Sequence, residues 1–227
     1  MIAPEKLLEA AKALEPQLQE WRRTLHRHPE VGFDLPQTKA LVKKALTEMG
    51  YAPQDCGKCG VLALAGGKKP GKVILLRGDM DALPLQEESG EEFSSELPGK
   101  MHGCGHDMHT AMMLGAAKLL KEHEDEIEGT VKLEFQPAEE IGQGAGPLIA
   151  AGMLDGAQRV FGLHTASDLL AGTVGIKPGA NNAGVDHFII RIHGKSAHVS
   201  TPQLGVDALY IASELVVALQ SIVTRMT

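Results

Sequence analysis

Apolar residues recur along this chain in two rhythms. From Ile2 to about Glu30, the positions Leu7, Leu8, Ala11, Leu14, Leu18, Trp21 and Leu25 predict an amphipathic helix, interrupted near Pro16 and ended by His28-Pro29. A second helix is predicted after it. Asp34 is the expected N-cap, Pro36 lies in the first turn, Gln37 takes the capping-box position, and Leu41, Val42, Ala45, Leu46 and Met49 run to Gly50. Short apolar runs at 61–64 and 73–76, parted by GGKKPG, read as strands, and the Ala/Met/Leu/Gly run at 110–120 reads as a buried helix. Val131, Leu133 and Phe135 alternate with Lys132 and Glu134 in a half-exposed strand that stops at Gln136-Pro137. A further strand at 160–163 ends at His164.

The pattern changes at Asp186. HFIIRIHG alternates as a strand, SAHVSTPQLG reads as a loop, and residues 206–223 form a helix with Val206, Leu209, Tyr210, Val216, Val217 and Val223 along one stripe. One strand and one helix cannot stand alone. The expected organisation is therefore an α/β unit over 1–183, with helices on both faces of its sheet, and the first part of a smaller domain over 184–227.

Composition narrows the class. A net charge of −7, with no basic run longer than a pair, argues against nucleic-acid binding. No stretch approaches the ~18 apolar residues of a membrane span. MIAPEKLLEAAKAL has acidic residues where a signal peptide would be basic and then apolar, so the cytoplasm is the expected compartment. The count of 3 cysteines excludes a disulfide framework, and CGKC at 56–59 reads as a glycine-rich turn, with half a zinc knuckle or a redox pair as the alternatives.

Candidate chemistry lies just past the strands. RGDMDALP sets Asp79 and Asp81 after one, Glu139 and Glu140 follow another, and His164 a third. Open α/β sheets bind ligands at such ends. The intervening KMHGCGHDMH, residues 100–109, adds a dense donor cluster in which Cys104 and His106, on a glycine-flanked loop, can face one point. A lone histidine is usually structural, but Cys104, His106, Glu140 and His164 together meet the needs of a metal site. Mixed sulfur, nitrogen and oxygen donors suit zinc, manganese, cobalt or nickel. With Glu140 as a ligand, Glu139 is free to act as general base toward a water that the metal acidifies. Asp81 is read as a carboxylate that orients a ligand histidine. Asp79 and Asp107 can be ligands, supports or turn formers, and His102 and His109 are assigned to support. A different chemistry makes Cys104 a nucleophile with His106 or His109 as its base; it would resist chelators and yield to iodoacetamide. The non-enzymatic alternative is a catalytically impaired binding or self-association module.

RRTLHRHPEVGF, RGDMDALP, MHGCGHDMHTAMMLGAA, FQPAEE, GLH and GKSAHVSTPQLGVDA occur in this order between about Trp21 and Arg225. This series resembles the metal-dependent amidohydrolases of the M20 peptidase group, in the branch of hippurate hydrolase, indole-3-acetyl-amino-acid hydrolases and N-acetyl-diaminopimelate deacetylase. The resemblance implies a zinc-aminopeptidase-like α/β catalytic domain with an inserted α+β lid that also makes a homodimer contact, acting on the amide bond of N-acyl amino acids or similar conjugates. It implies a two-metal site held by Cys104, His106, Glu140 and His164, with Glu139 as base and Asp81 as support. His198 corresponds to a lid histidine that reaches the partner subunit's site and stabilises the oxyanion. Relatives outside this branch carry histidine where Asp79 stands. The family's remaining ligand histidine comes after the lid, within which this chain ends, so the chain is expected to be a fragment or short form, binding metal and turning over substrate poorly by itself.

Overall fold

The computed structural model describes residues 3–182 and 184–225. Ile2, the side chain of Val223 and the final two residues, which the sequence pattern had included, lie outside the described residues. The chain divides into two compact units, Met1–Leu170 and Ala171–Thr227.

The first unit opens with α1 (Pro4–Ala13) and α2 (Glu15–Arg27). The expected interruption falls at Leu14, because Pro16 has no N–H to continue the helix and instead occupies the first turn of the next one. Helix α3 (Pro36–Glu48) departs from expectation at its start. Its N-terminus has no local side-chain cap, and Asp34 takes no part. Glu30 serves instead: its carboxylate accepts the free N–H groups of Gln37 at 3.1 Å and Thr38 at 2.8 Å. Glu30 is buried, so these bonds are shielded from water.

Strands β1 (Gln54–Cys56), β2 (Gly60–Gly66), β3 (Val73–Asp79), β4 (Thr130–Gln136) and β5 (Ala157–Gly162) form one sheet in the order β1-β2-β4-β3-β5. Pairings β1/β2 and β2/β4 are antiparallel, whereas β3 runs parallel to both β4 and β5. The CGKC segment is the turn of the β1/β2 hairpin, with Gly57 at φ +56° and both thiols buried and unpaired. Helices cover the sheet unequally. On one face Val61, Ala63, Leu133 and Phe135 pack against α3 and α4 (His106–Glu122) through Val42, Leu46 and Leu114. On the other, a small cluster of Cys56, Leu75, Leu148 and Met153 gathers around α5 (Ala145–Ala150). Edge strand β5 is left open, with Val160 and Phe161 exposed.

In the second unit α6 (Ala208–Arg225) starts at Asp207, whose Oδ1 accepts N–H bonds from Leu209 and Tyr210 at 3.0 Å each. The strand expected at 187–194 is not paired; beside it there is an isolated bridge of Lys195 with Val206. Alternation alone cannot make a strand without a neighbour to bond. The stripe of α6 stays open too, with Leu209, Val216 and Val217 exposed. Among the described residues no helix is long and apolar enough to cross a membrane.

The remote cap is testable by urea denaturation. Glu30→Ala should lower stability by about 1–3 kcal/mol, because two helix-terminal N–H groups, that of Thr38 buried, lose their acceptor. Asp34→Ala should leave the midpoint unchanged, and equal losses for the two variants would refute the assignment.

Candidate metal centre

Parallel register gathers the donors. Asp79 pairs with Gln136 and Arg77 with Gly162, so the segments leaving β3, β4 and β5 emerge along the same edge of the sheet. Asp81, the Glu139-Glu140 pair and His164 lie a few residues further along each chain segment. Helix α4 arrives at the same edge by its N-terminus. Gly105, at φ +85°, makes the turn into it, and a Cβ at that position would stand 2.4 Å from Thr165 Oγ1. His106 is thus the first helical residue and Cys104 lies in the preceding loop, where sequence reasoning had set both on a loop.

His106 is wholly buried, and its Nδ1 lies 2.8 Å from the main-chain oxygen of Asp81. A carbonyl only accepts, so the ring hydrogen is on Nδ1 and Nε2 keeps a bare lone pair. That Nε2 has no hydrogen-bond partner, and neither does the buried Oε1 of Glu140, 3.7 Å away. Asp79 Oδ2 at 3.5 Å and Glu139 Oε2 at 3.8 Å complete an acidic surround. Buried polar atoms are almost always paired, so two facing orphans mark a place where a cation fits.

Cys104 Sγ lies 3.3 Å from His164 Nε2. The other nitrogen of His164, Nδ1, donates to Thr165 O at 2.6 Å, which again turns Nε2 toward the donors. Cys104, His106 and His164 form one group whose ligand atoms lie within 4.8 Å of one another; His106, Glu139 and Glu140 form another. His106 belongs to both. Asp81 ties them together, its Oδ1 accepting the N–H of Glu139 at 2.9 Å and its Oδ2 that of Glu140 at 3.2 Å. Ala138, just before this pair, holds the left-handed conformation at φ 54°, which L residues seldom adopt.

A third grouping, Asp79 with His106 and His109, is less available. Asp79 spends Oδ1 on His109 Nδ1 at 2.6 Å and Oδ2 on Arg77 at 2.6 Å. Burial alone would raise its pKa, but the His109 bond, then the nearby His106 and Arg77, hold it down at about 2. Glu140 shifts the other way: burial, with the charges of Glu139 and Asp81, outweighs His106 and raises it. His106 is raised as well, because Asp81, Asp79 and Glu140 overcome its desolvation. The pocket therefore draws in positive charge.

Asp107 faces away from these donors. Its Oδ2 accepts from Arg22 Nε at 2.7 Å and His26 Nδ1 at 2.8 Å, and His26 Nε2 lies 3.1 Å from Glu87. His26 is raised, chiefly by the Asp107 bond, and forms a buried cationic link between α2 and α4. Sequence reasoning missed Arg22 and His26. They form an i, i+4 pair on a helix already rich in polar residues, with nothing local to single them out or to name the partner. Burial lowers His102 to about 4. His198 lies in the second unit, where its Nδ1 accepts the Ser200 N–H at 3.2 Å, which leaves the ring hydrogen on an exposed Nε2.

A sheet of this topology with such a donor set is that of the α/β metallopeptidase class. Residues 75–227 match the Peptidase family M20/M25/M40, and the chain belongs to that family. It is 48% identical over 213 residues to the N-acetyl-L-cysteine deacetylase of Bacillus subtilis, covering 93% of this chain and 51% of that protein. It is 43% identical over 228 residues to IAA-amino acid hydrolase ILR1-like 4 of Arabidopsis thaliana, covering 98% and 51%. Among solved structures, a dinuclear metal-binding M20-family peptidase of Bacillus subtilis aligns at TM-score 0.71 and 44% identity, over 74% of this chain and 48% of that one. The chain spans about half the length of the curated relatives it matches.

The thiol separates metal chemistry from thiol chemistry. Burial, followed by the Glu140, Glu139 and Asp79 charges, pushes Cys104 up to about 12. A thiol held so far up has very little thiolate at neutral pH, a loss only partly regained in nucleophilicity. In chelator, Cys104 should react with iodoacetamide roughly tenfold or more slowly than a free thiol at pH 8. Its rate should climb only as pH rises toward that pKa; fast alkylation at neutral pH would favour the nucleophile.

Proposed function

We propose that the protein hydrolyses the amide bond of N-acyl amino acids or similar small conjugates in a metal-dependent reaction. The observation that carries this reading is the unpartnered lone pair of His106 Nε2 beside the unpartnered Oε1 of Glu140. Cys104, His106, Glu140 and His164 would hold divalent ions, two per site, of the zinc, manganese, cobalt or nickel kind. His106 Nε2 has one lone pair and would ligate one of them; the count of two is supported by the solved Bacillus subtilis relative, which is described as dinuclear. Bound there, such an ion supplies Lewis acidity, polarising the amide carbonyl and lowering the pKa of water to ~7.

The chain's own groups do the proton work. The Glu140 side chain is 15% exposed and that of Glu139 41%, which supports the inner carboxylate as ligand and the outer as base. Glu139 takes a proton from the attacking water as the C–O bond forms. It returns that proton to the amide nitrogen as the C–N bond breaks. Asp81 holds the peptide N–H groups of both glutamates, so the pair cannot turn as a unit. The substrate class rests on the relatives, one named for N-acetyl-L-cysteine and one for IAA–amino acid conjugates.

Residues 184–227 are proposed to begin a lid that also forms a homodimer contact, with His198 presenting its Nε2–H to the oxyanion of substrate in the partner subunit. Its tautomer supports this, since an exposed N–H is the donor an oxyanion needs.

The test uses the purified full-length gene product with N-acetyl amino acids. EDTA should abolish hydrolysis and divalent metal should restore it. Glu139→Gln should lower kcat by about 10²–10⁴-fold while metal content stays unchanged. Metal lost together with activity would reverse the roles of Glu139 and Glu140; activity that survives EDTA would refute the metal reading.

A further inference from the structure

One buried histidine at the centre is left unused by this chemistry. His109, 2% exposed, stands one turn into α4, and its Nε2 accepts the N–H of Thr165 at 2.9 Å. An amide only donates here, so the ring hydrogen must be on Nδ1, where it meets Asp79 Oδ1 at 2.6 Å. Both nitrogens are committed, and neither has a lone pair free for a metal. The other tautomer would set N–H against N–H at Thr165 and a lone pair against a carboxylate at Asp79, and a flipped ring would offer both partners only C–H. Arg77, 2.6 Å from the other oxygen of Asp79, keeps that carboxylate in place.

Thr165 is the residue that holds His164. Its carbonyl oxygen accepts from His164 Nδ1 at 2.6 Å, and its Oγ1 donates to Cys104 O at 3.3 Å. The rings of His109 and His164 meet edge to face, with centroids 4.7 Å apart and planes at 72°. His164 itself is exposed, on the segment following the open edge strand β5, and has little packing of its own to fix it.

Resting on the reading that Cys104, His106, Glu140 and His164 hold metal, we infer that His109 is a positioning residue that binds no metal itself and aims His164 by anchoring the Thr165 peptide N–H. The anchor runs from the sheet through Asp79 to His109 and then across to the loop. It converts a donor on an exposed segment into one fixed relative to α4.

Two substitutions split the links. His109→Gln sets an amide oxygen near the place of Nε2 and keeps an acceptor for Thr165. His109→Asn sets an amide N–H near the place of Nδ1 and keeps only the Asp79 contact. Affinity is read by titrating the purified full-length gene product with Co²⁺, following thiolate-to-cobalt absorption and bound stoichiometry, with circular dichroism reporting the fold. His109→Asn should weaken the His164-dependent site by about 10–100-fold and His109→Gln by no more than about threefold, as expected for a residue that orients a ligand. In a His164→Ala background the Asn effect should vanish. Wild-type affinity in the Asn variant, or equal losses in both, would overturn the inference. Should the Asn variant not fold, the Gln variant decides alone, and a tenfold loss there overturns it. No cobalt absorption by the wild type would overturn the metal reading itself, an outcome distinct from any difference among the His109 variants.

Discussion

The candidate centre depends on one residue with no exposed surface. Asp81 accepts the His106 ring hydrogen on its main-chain oxygen and the peptide N–H groups of Glu139 and Glu140 on its two carboxylate oxygens. These bonds join the segment after β3, the first turn of α4 and the segment after β4. They fix the tautomer that turns His106 Nε2 toward Glu140, and they hold the left-handed turn at Ala138 from its far side. Without them, three strand and helix ends would still arrive at the same edge, but their donors would have no common aim. The carboxylate read from the sequence as orienting a histidine orients the glutamate pair more directly, and the histidine is held by a peptide oxygen.

Convergence at that edge follows from sheet topology. Only β3, β4 and β5 are mutually parallel, and β3 lies between the other two, so the C-terminal ends of all three are neighbours. The antiparallel β1/β2 hairpin extends the sheet away from the centre and supplies core rather than chemistry. Helix α4 serves both purposes. Leu114 and Ala117 pack into the core, while His106 and His109, a few residues earlier on the same helix, reach the donors. Rigidity at the centre is thus inherited from the packed face of the sheet. The open face and β5 contribute little of it, and His164, which follows β5, is the donor most in need of a second support.

Much of this was legible from residue order. Apolar runs ending in acids or a histidine pointed to the strands and the edge where the donors meet, and the glycine-rich decapeptide pointed to Cys104 and His106, whose ligand atoms do lie near that of His164. What escaped was what local pattern does not encode. Glu30 caps α3 from outside the helix, so the nearer Asp34 was the natural but wrong choice. Arg22 and His26 find their partner in Asp107, 85 and 81 positions away. The first turn of α4 is polar and buried together, so an apolar criterion placed the helix start too late. HFIIRIHG alternates as a strand should, yet among the described residues it pairs with no neighbour. Strand β1 is 3 residues long, too short for any alternation to show.

The carboxylates at the centre differ in a way that separates structure from chemistry. Asp79 and Glu140 both lie within 4 Å of His106 Nε2, at 3.5 and 3.7 Å, and burial acts against the charge of each. Asp79 has Arg77 and His109 on its two oxygens and stays ionised far below neutral pH, so its charge is already compensated within the protein. Glu140 is compensated only in part, by His106 and the Cys104 thiol. Its pKa is raised and its Oε1 is unpartnered, so the folded chain gains from any cation that takes that place. A ligand that binds the folded state alone stabilises it by mass action. On the proposed metal reading, the disposition that destabilises this pocket would become binding energy when a divalent ion enters, with Asp79, already satisfied, as a support rather than a competitor for it.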